Sequence, residues 1–78
     1  MKIIESIDEL KVGDKLEVVN KPKSYNEYGV VYLVVKDIYY TARRIRVSIV
    51  DYKGKELTWT YYDIPHSHLV LKFYEGSN

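Results

Sequence analysis

The sequence predicts an all-β domain of five short strands, and three observations predict it. Apolar and polar residues alternate with period two over residues 15–18 and again over residues 44–62, the mark of strands with one wet face. A long apolar run lies between these two stretches. Gly13-Asp14 stops the only helix-start signal within a turn or two, and Tyr52-Lys53-Gly54 reads as the tight loop of a hairpin.

The elements follow in order. Ser6-Ile7-Asp8-Glu9 has the S-x-x-E form in which serine caps a helix start and glutamate reaches back to the serine N–H. Gly13-Asp14 stops it early, so residues 6–10 read as a short helical turn. From Lys15 a strand begins with Leu16 and Val18 inward, Lys15 and Glu17 outward. The polar stretch Asn20–Asn26, with Pro22, reads as a loop. Tyr28–Tyr40 carries apolar residues at both parities. In so short a chain this predicts a strand that bends midway and hands inward duty from one parity to the other. Ile64–His68 reads as a turn of 3₁₀ helix before a last strand, Leu69–Tyr74. Residues 1–74 thus form one domain, and 75–78 a loose tail.

Residues 44–62 predict a hairpin. Ile45, Val47 and Ile49 alternate with Arg44, Arg46 and Ser48, and Leu57, Trp59 and Tyr61 alternate with Glu56, Thr58, Thr60 and Tyr62. A three-residue loop, Tyr52-Lys53-Gly54, puts glycine where positive φ is needed. The resulting register pairs Ile49 with Leu57, Val47 with Trp59 and Ile45 with Tyr61, and sets Asp51 opposite Lys55; a two-residue loop would set inward residues against outward ones. Trp59 is then a core residue whose truncation costs about 3–5 kcal/mol. Arg44 faces Tyr62 and Arg46 faces Thr60, on the side away from the indole.

Composition narrows the function classes. Seventy-eight residues make one small domain that spends most of its apolar side chains on one core. There is no cysteine, hence no disulfide framework, no cysteine-ligated zinc and no thiol nucleophile, which suits a reducing cytoplasm. The longest apolar run, Val30–Val35, is shorter than the roughly 7–15 residues of a signal peptide core or the about 20 of a membrane span. A cytoplasmic protein with no membrane partner is expected. The net charge of +1 excludes a strongly basic nucleic-acid binder, but residues 36–46 hold Lys36, Arg43, Arg44 and Arg46 against Asp37 alone.

The strand plan resembles the SH3-like small barrels: five short strands, a long bending second strand, a tight hairpin and a helical turn before the last strand. Leu10–Val19, LKVGDKLEVV, is similar to KOW- and Tudor-type barrels, where a glycine–aspartate pair opens a strand with inward residues two apart. The resemblance implies a five-stranded SH3-like barrel. It carries over no binding residues, because the tyrosine-bearing opening motif of proline-peptide-binding SH3 domains has no counterpart here. That superfamily hosts peptide binders, nucleic-acid binders and partners of larger machines, so the fold does not choose among them.

Two binding readings remain. Tyr39, Tyr40, Arg43, Arg44, Arg46 and Tyr62 predict a basic and aromatic face, extended by Lys21, Lys23, Tyr25 and Tyr28. Bases stack on such rings for about 1–3 kcal/mol each, and arginine adds phosphate contacts; RNA or another single strand is the first expectation. The alternative is a protein–protein adaptor or inhibitor docking on a larger complex through the same face, since Tyr and Arg are also the residues of interface hot spots. Both stand against an ordinary wet sheet face, on which Arg44 over Tyr62 is a stabilising cation–π pair. Enzymatic chemistry is not expected. His66-Ser67-His68, even with Asp63, falls short of the ligands of a zinc site. Ser67 beside His68 has no third orienting group, and neither a phosphate-binding loop nor a dinucleotide fingerprint is present. No cofactor, metal or small-molecule substrate is expected.

Overall fold

The computed structural model describes residues 2–65 and 68–76. Five antiparallel strands form one sheet: β1 (Lys15–Val18), β2 (Val30–Tyr39), β3 (Arg44–Asp51), β4 (Glu56–Asp63) and β5 (Leu71–Phe73), in the order β4-β3-β2-β1-β5. The all-β expectation holds. Ser6 and Glu9 form the capping box at the head of a 3₁₀ turn, Ile7–Glu9, with the Glu9 carboxylate accepting from the Ser6 and Glu5 N–H groups at 3.0 Å each. Leu16 and Val18 are buried on β1, as the alternation predicts.

The stretch read as a loop over Asn20–Asn26 instead contains a short helix, α1 (Lys23–Glu27), with Pro22 at its N-cap. Proline costs nothing there, because a helix start leaves its first N–H groups unpaired anyway. The Pro22 carbonyl accepts from Tyr25 N–H at 3.0 Å, and Gly29 ends the segment at φ +70°. A second correction falls at the other end. Ile64-Pro65 has a cis peptide bond and forms a bend where a 3₁₀ turn was expected. His66 and Ser67 lie outside the described residues, so the expected continuation of that turn and the histidine pair are outside them too. The last strand is shorter than Leu69–Tyr74.

β2 bends as anticipated, and the device is a pair of β-bulges. Register shifts fall between Val30 and Tyr32 and between Val35 and Asp37. Leu33 and Val35 face the core, and beyond the second bulge the inward position passes to Ile38, opposite buried Ile45. Each bulge adds a residue to one strand and so exchanges its faces. The core joins Leu33, Val35, Ile45, Val47 and Ile49 to Leu16 and Val18 of β1, and Ile4, Ile7, Leu10, Ile64 and Leu71 close it.

The hairpin turn is the one predicted, yet the strand beyond it is turned over. Gly54 has φ +79°, its N–H donates to the Asp51 carbonyl at 3.0 Å, and Asp51 N–H donates to the Lys55 carbonyl at 2.9 Å. The buried Asp51 carboxylate also accepts from the Lys53 and Lys55 N–H groups at 2.9 Å each. Val50 pairs with Glu56, but Ile49 pairs with Thr58, so Leu57 is an extra residue on β4. From there the ladder runs Ser48↔Trp59, Val47↔Thr60, Arg46↔Tyr61, Ile45↔Tyr62 and Arg44↔Asp63. One bulge beside the turn shifts the register by a residue and exchanges the faces of all that follows. Trp59 is therefore 52% exposed and not a core residue, while Tyr62 is buried.

Deletion of Leu57 tests this bulge. The residue after Glu56 would then be Thr58, already the partner of Ile49, so the ladder out to Asp63 is expected to survive and Trp59 to keep the red-shifted emission of a wet indole. Blue-shifted emission in the parent chain, or a change to it in the deletion, contradicts the bulge.

Candidate interaction surface

The outer face of β2, β3 and β4 is built from cross-strand pairs. Asp37 lies opposite Arg46 and Tyr39 opposite Arg44 across β2 and β3; Tyr61 lies opposite Arg46 and Asp63 opposite Arg44 across β3 and β4. Tyr39, Trp59 and Tyr61 are all exposed. Trp59 and Tyr61 meet edge to face at 5.5 Å between ring centres, and Tyr61 and Tyr39 are 6.2 Å apart. Three rings thus make a continuous row. Ser48, opposite Trp59, is buried.

The arginines are threaded between these rings and neutralised. The Arg46 guanidinium lies 5.8 Å from the Trp59 ring centre, and that of Arg44 lies 5.8 Å from the Tyr61 ring centre. Arg44 Nε donates to Asp63 Oδ1 at 2.9 Å, and Arg46 donates to Asp37 Oδ2 through Nη2 at 2.8 Å and Nε at 3.2 Å. The Asp37 hydrogen bond raises the Arg46 pKa above its already high value. Two cations and two carboxylates leave the face neutral, with each guanidinium within cation–π range of a ring.

The expected site residues part into three places. Tyr39, Arg44 and Arg46 come together on this face. Tyr40 and Arg43 sit around the β2–β3 turn, where Arg43 takes φ +52° and its carbonyl accepts from Ile64 N–H at 2.8 Å. They line a cleft of about 250 Å³ with Ser6, Asp8 and Pro65. Tyr25 and Tyr28 line a third place, a groove of about 390 Å³ between α1 and the start of β4, with Val30, Ile49, Leu57 and Thr58. Lys23 is exposed on α1, and Lys21 Nζ donates to the Val30 carbonyl at 2.9 Å. Tyr62 is corrected outright: it is buried, its hydroxyl hydrogen-bonded to that of Tyr25. Burial, and then the bond to Tyr25, push the Tyr62 phenol far above its ordinary pKa, so it stays protonated. It cannot serve as a stacking platform.

Trp59, Tyr61, Asp37 and Asp63 belong to the face and were not expected there. Hydropathy on β4 points the wrong way, because the more apolar set, Leu57, Trp59 and Tyr61, is the exposed one. The legible signal was charge. A one-residue shift brings Asp63 across from Arg44, the kind of opposite-charge pair that stabilises a sheet face.

No family model, curated protein or solved structure matches the chain. Among the described residues no three metal-ligating side chains cluster, and no helix is long and apolar enough to cross a membrane.

Proposed function

We propose that this small all-β domain is a non-enzymatic binding module whose partner is a protein. Its contact surface is the face bearing Tyr39, Arg44, Arg46, Trp59 and Tyr61. The observation that carries this reading is the neutral row of exposed rings, each arginine both within cation–π range of a ring and bound to an aspartate. Exposed Trp, Tyr and Arg are the residues that dominate interface energies. A guanidinium already held by a carboxylate has less to offer a phosphate. The SH3-like barrel is proposed as the underlying plan, supported by the bulged, bending β2 and by β1 lying between β2 and the last strand.

The exposed rings with arginines beside them favour a second reading, single-stranded nucleic acid laid across the same rings. Salt separates the two. A protein partner is expected to be retained on the immobilised chain after nuclease treatment, with modest loss as salt rises. Nucleic-acid binding requires affinity that falls steeply on a log–log plot against salt. Retention of oligonucleotide alone, with that slope reduced by Arg44→Ala or Arg46→Ala, replaces the protein reading by the second.

A further inference from the structure

The face holds exposed rings and arginines together, the pairing that single-stranded nucleic acid binds, and two aspartates cancel its charge. On β3, Arg46 lies between Asp37 of β2 and Tyr61 of β4, and Arg44 lies between Tyr39 of β2 and Asp63 of β4. Each arginine is thus flanked by one ring and one carboxylate, in opposite order. Each bonds its own carboxylate, Arg44 at 2.9 Å and Arg46 at 2.8 Å. In both pairs the aspartate side chain is the more exposed partner, 58% against 49% for Asp63 and Arg44 and 49% against 32% for Asp37 and Arg46. Exposed ion pairs contribute little to stability, so the fold alone does not account for both. Lys36 and Arg43, exposed next to these residues in the chain, are in no ion pair among the described residues. With the two carboxylates gone, four cations would stand unopposed along the end of β2, its turn and β3.

We propose that Asp37 and Asp63 are the specificity-determining residues of this face, withholding its arginines and rings from nucleic acid and keeping them for a protein. This deepens the reading of the face as a protein contact and rests on it. Two effects act together. A phosphate that approaches either guanidinium comes against an exposed carboxylate of its own sign, the kind of repulsive element by which a site rejects a competitor. A guanidinium already balanced by a carboxylate also displaces no net counterion from a nucleic-acid backbone, so the main driving force of such binding is missing. A protein partner is spared both costs, because it can bury Trp59, Tyr39 and Tyr61 without bringing charge to the arginines.

The probe is a fluorescein-labelled oligothymidylate of about 16 nucleotides, titrated with the intact chain and followed by anisotropy. Asp37→Asn combined with Asp63→Asn raises the net charge of +1 by two. Asparagine keeps an oxygen that accepts from the guanidinium, so the arginines stay beside their rings. This variant is expected to bind at least about tenfold tighter than the parent. Its log–log salt slope should be steeper by about 1.4, the value for two phosphates neutralised on a single strand. Emission of Trp59, the single tryptophan, should be quenched on binding. Asp37→Glu combined with Asp63→Glu keeps the charge and should behave as the parent does. If the double asparagine variant does not fold, because Asp63 helps hold the register of β4, Asp37→Asn alone carries the test with a slope change of about 0.7. No gain in binding, a gain without quenching of Trp59, or an equal gain in the glutamate variant overturns the inference. If nothing is gained while the protein partner is still retained through Trp59, the binding face stands and only the role of the aspartates falls. A parent chain that binds the oligonucleotide as tightly as the asparagine variant overturns both.

Discussion

Leu33→Ala is expected to cost about 3–5 kcal/mol, and Trp59→Ala less than about 1 kcal/mol, although tryptophan is much the larger side chain. Leu33 is fully buried between β1 and β3, opposite Leu16 on one side and Ile49 on the other. Its truncation removes transfer energy and leaves a cavity that a rigid sheet closes only in part. Trp59 already has half its surface in water, and its loss forfeits an edge-to-face ring contact and the cation–π contact with Arg46. A domain of this size is stable by only about 0.05–0.15 kcal/mol per residue, so Leu33→Ala should remove much or all of that margin. Urea titration followed by circular dichroism checks both variants. A Trp59→Ala loss comparable with that of Leu33→Ala would restore the unbulged hairpin register.

Binding should rank the same residues in the opposite order. Trp59→Ala and Tyr61→Ala are each expected to weaken the protein partner retained in the nuclease-treated capture by about 30-fold or more, the effect of losing about 2 kcal/mol from a hot spot. The double variant should fall short of the product of the two, because the rings touch and share the same arginines. Leu33→Ser, Leu33→Ala and similar core changes would lower binding only through the folded fraction. Tyr62→Phe supplies the control: its hydroxyl is turned inward to Tyr25, so affinity should hold while stability drops by about 1 kcal/mol. Calorimetry with the recovered partner measures all of these. Equal affinity in the parent and Trp59→Ala chains removes the face from the proposal.

How far the fold and the surface were legible can be followed strand by strand. On β1 and β3, Leu16, Val18, Ile45, Val47 and Ile49 lie inward as alternation predicts, because an unbroken strand has a single parity and burial selects it. The Gly54 turn was legible for a local reason, the positive φ that only a few residues accept. The exposed partners Tyr39, Arg44 and Arg46 were legible as neighbours because they sit on adjacent strands joined by a short turn. α1 was not, since five residues with none buried leave no apolar periodicity to detect.

The sequence by itself determined which chemistry this chain carries: a cysteine-free, nearly neutral, tyrosine-rich β domain with its arginines gathered near one turn. Only the tertiary structure decided which side of β4 meets water. A single extra residue at Leu57 exchanges the strand's two faces, and local hydropathy has no term for that exchange. What selects it is the sum of distant contacts, Tyr62 against Tyr25 beneath the sheet and Asp63 against Arg44 above it, formed only once the strands are side by side.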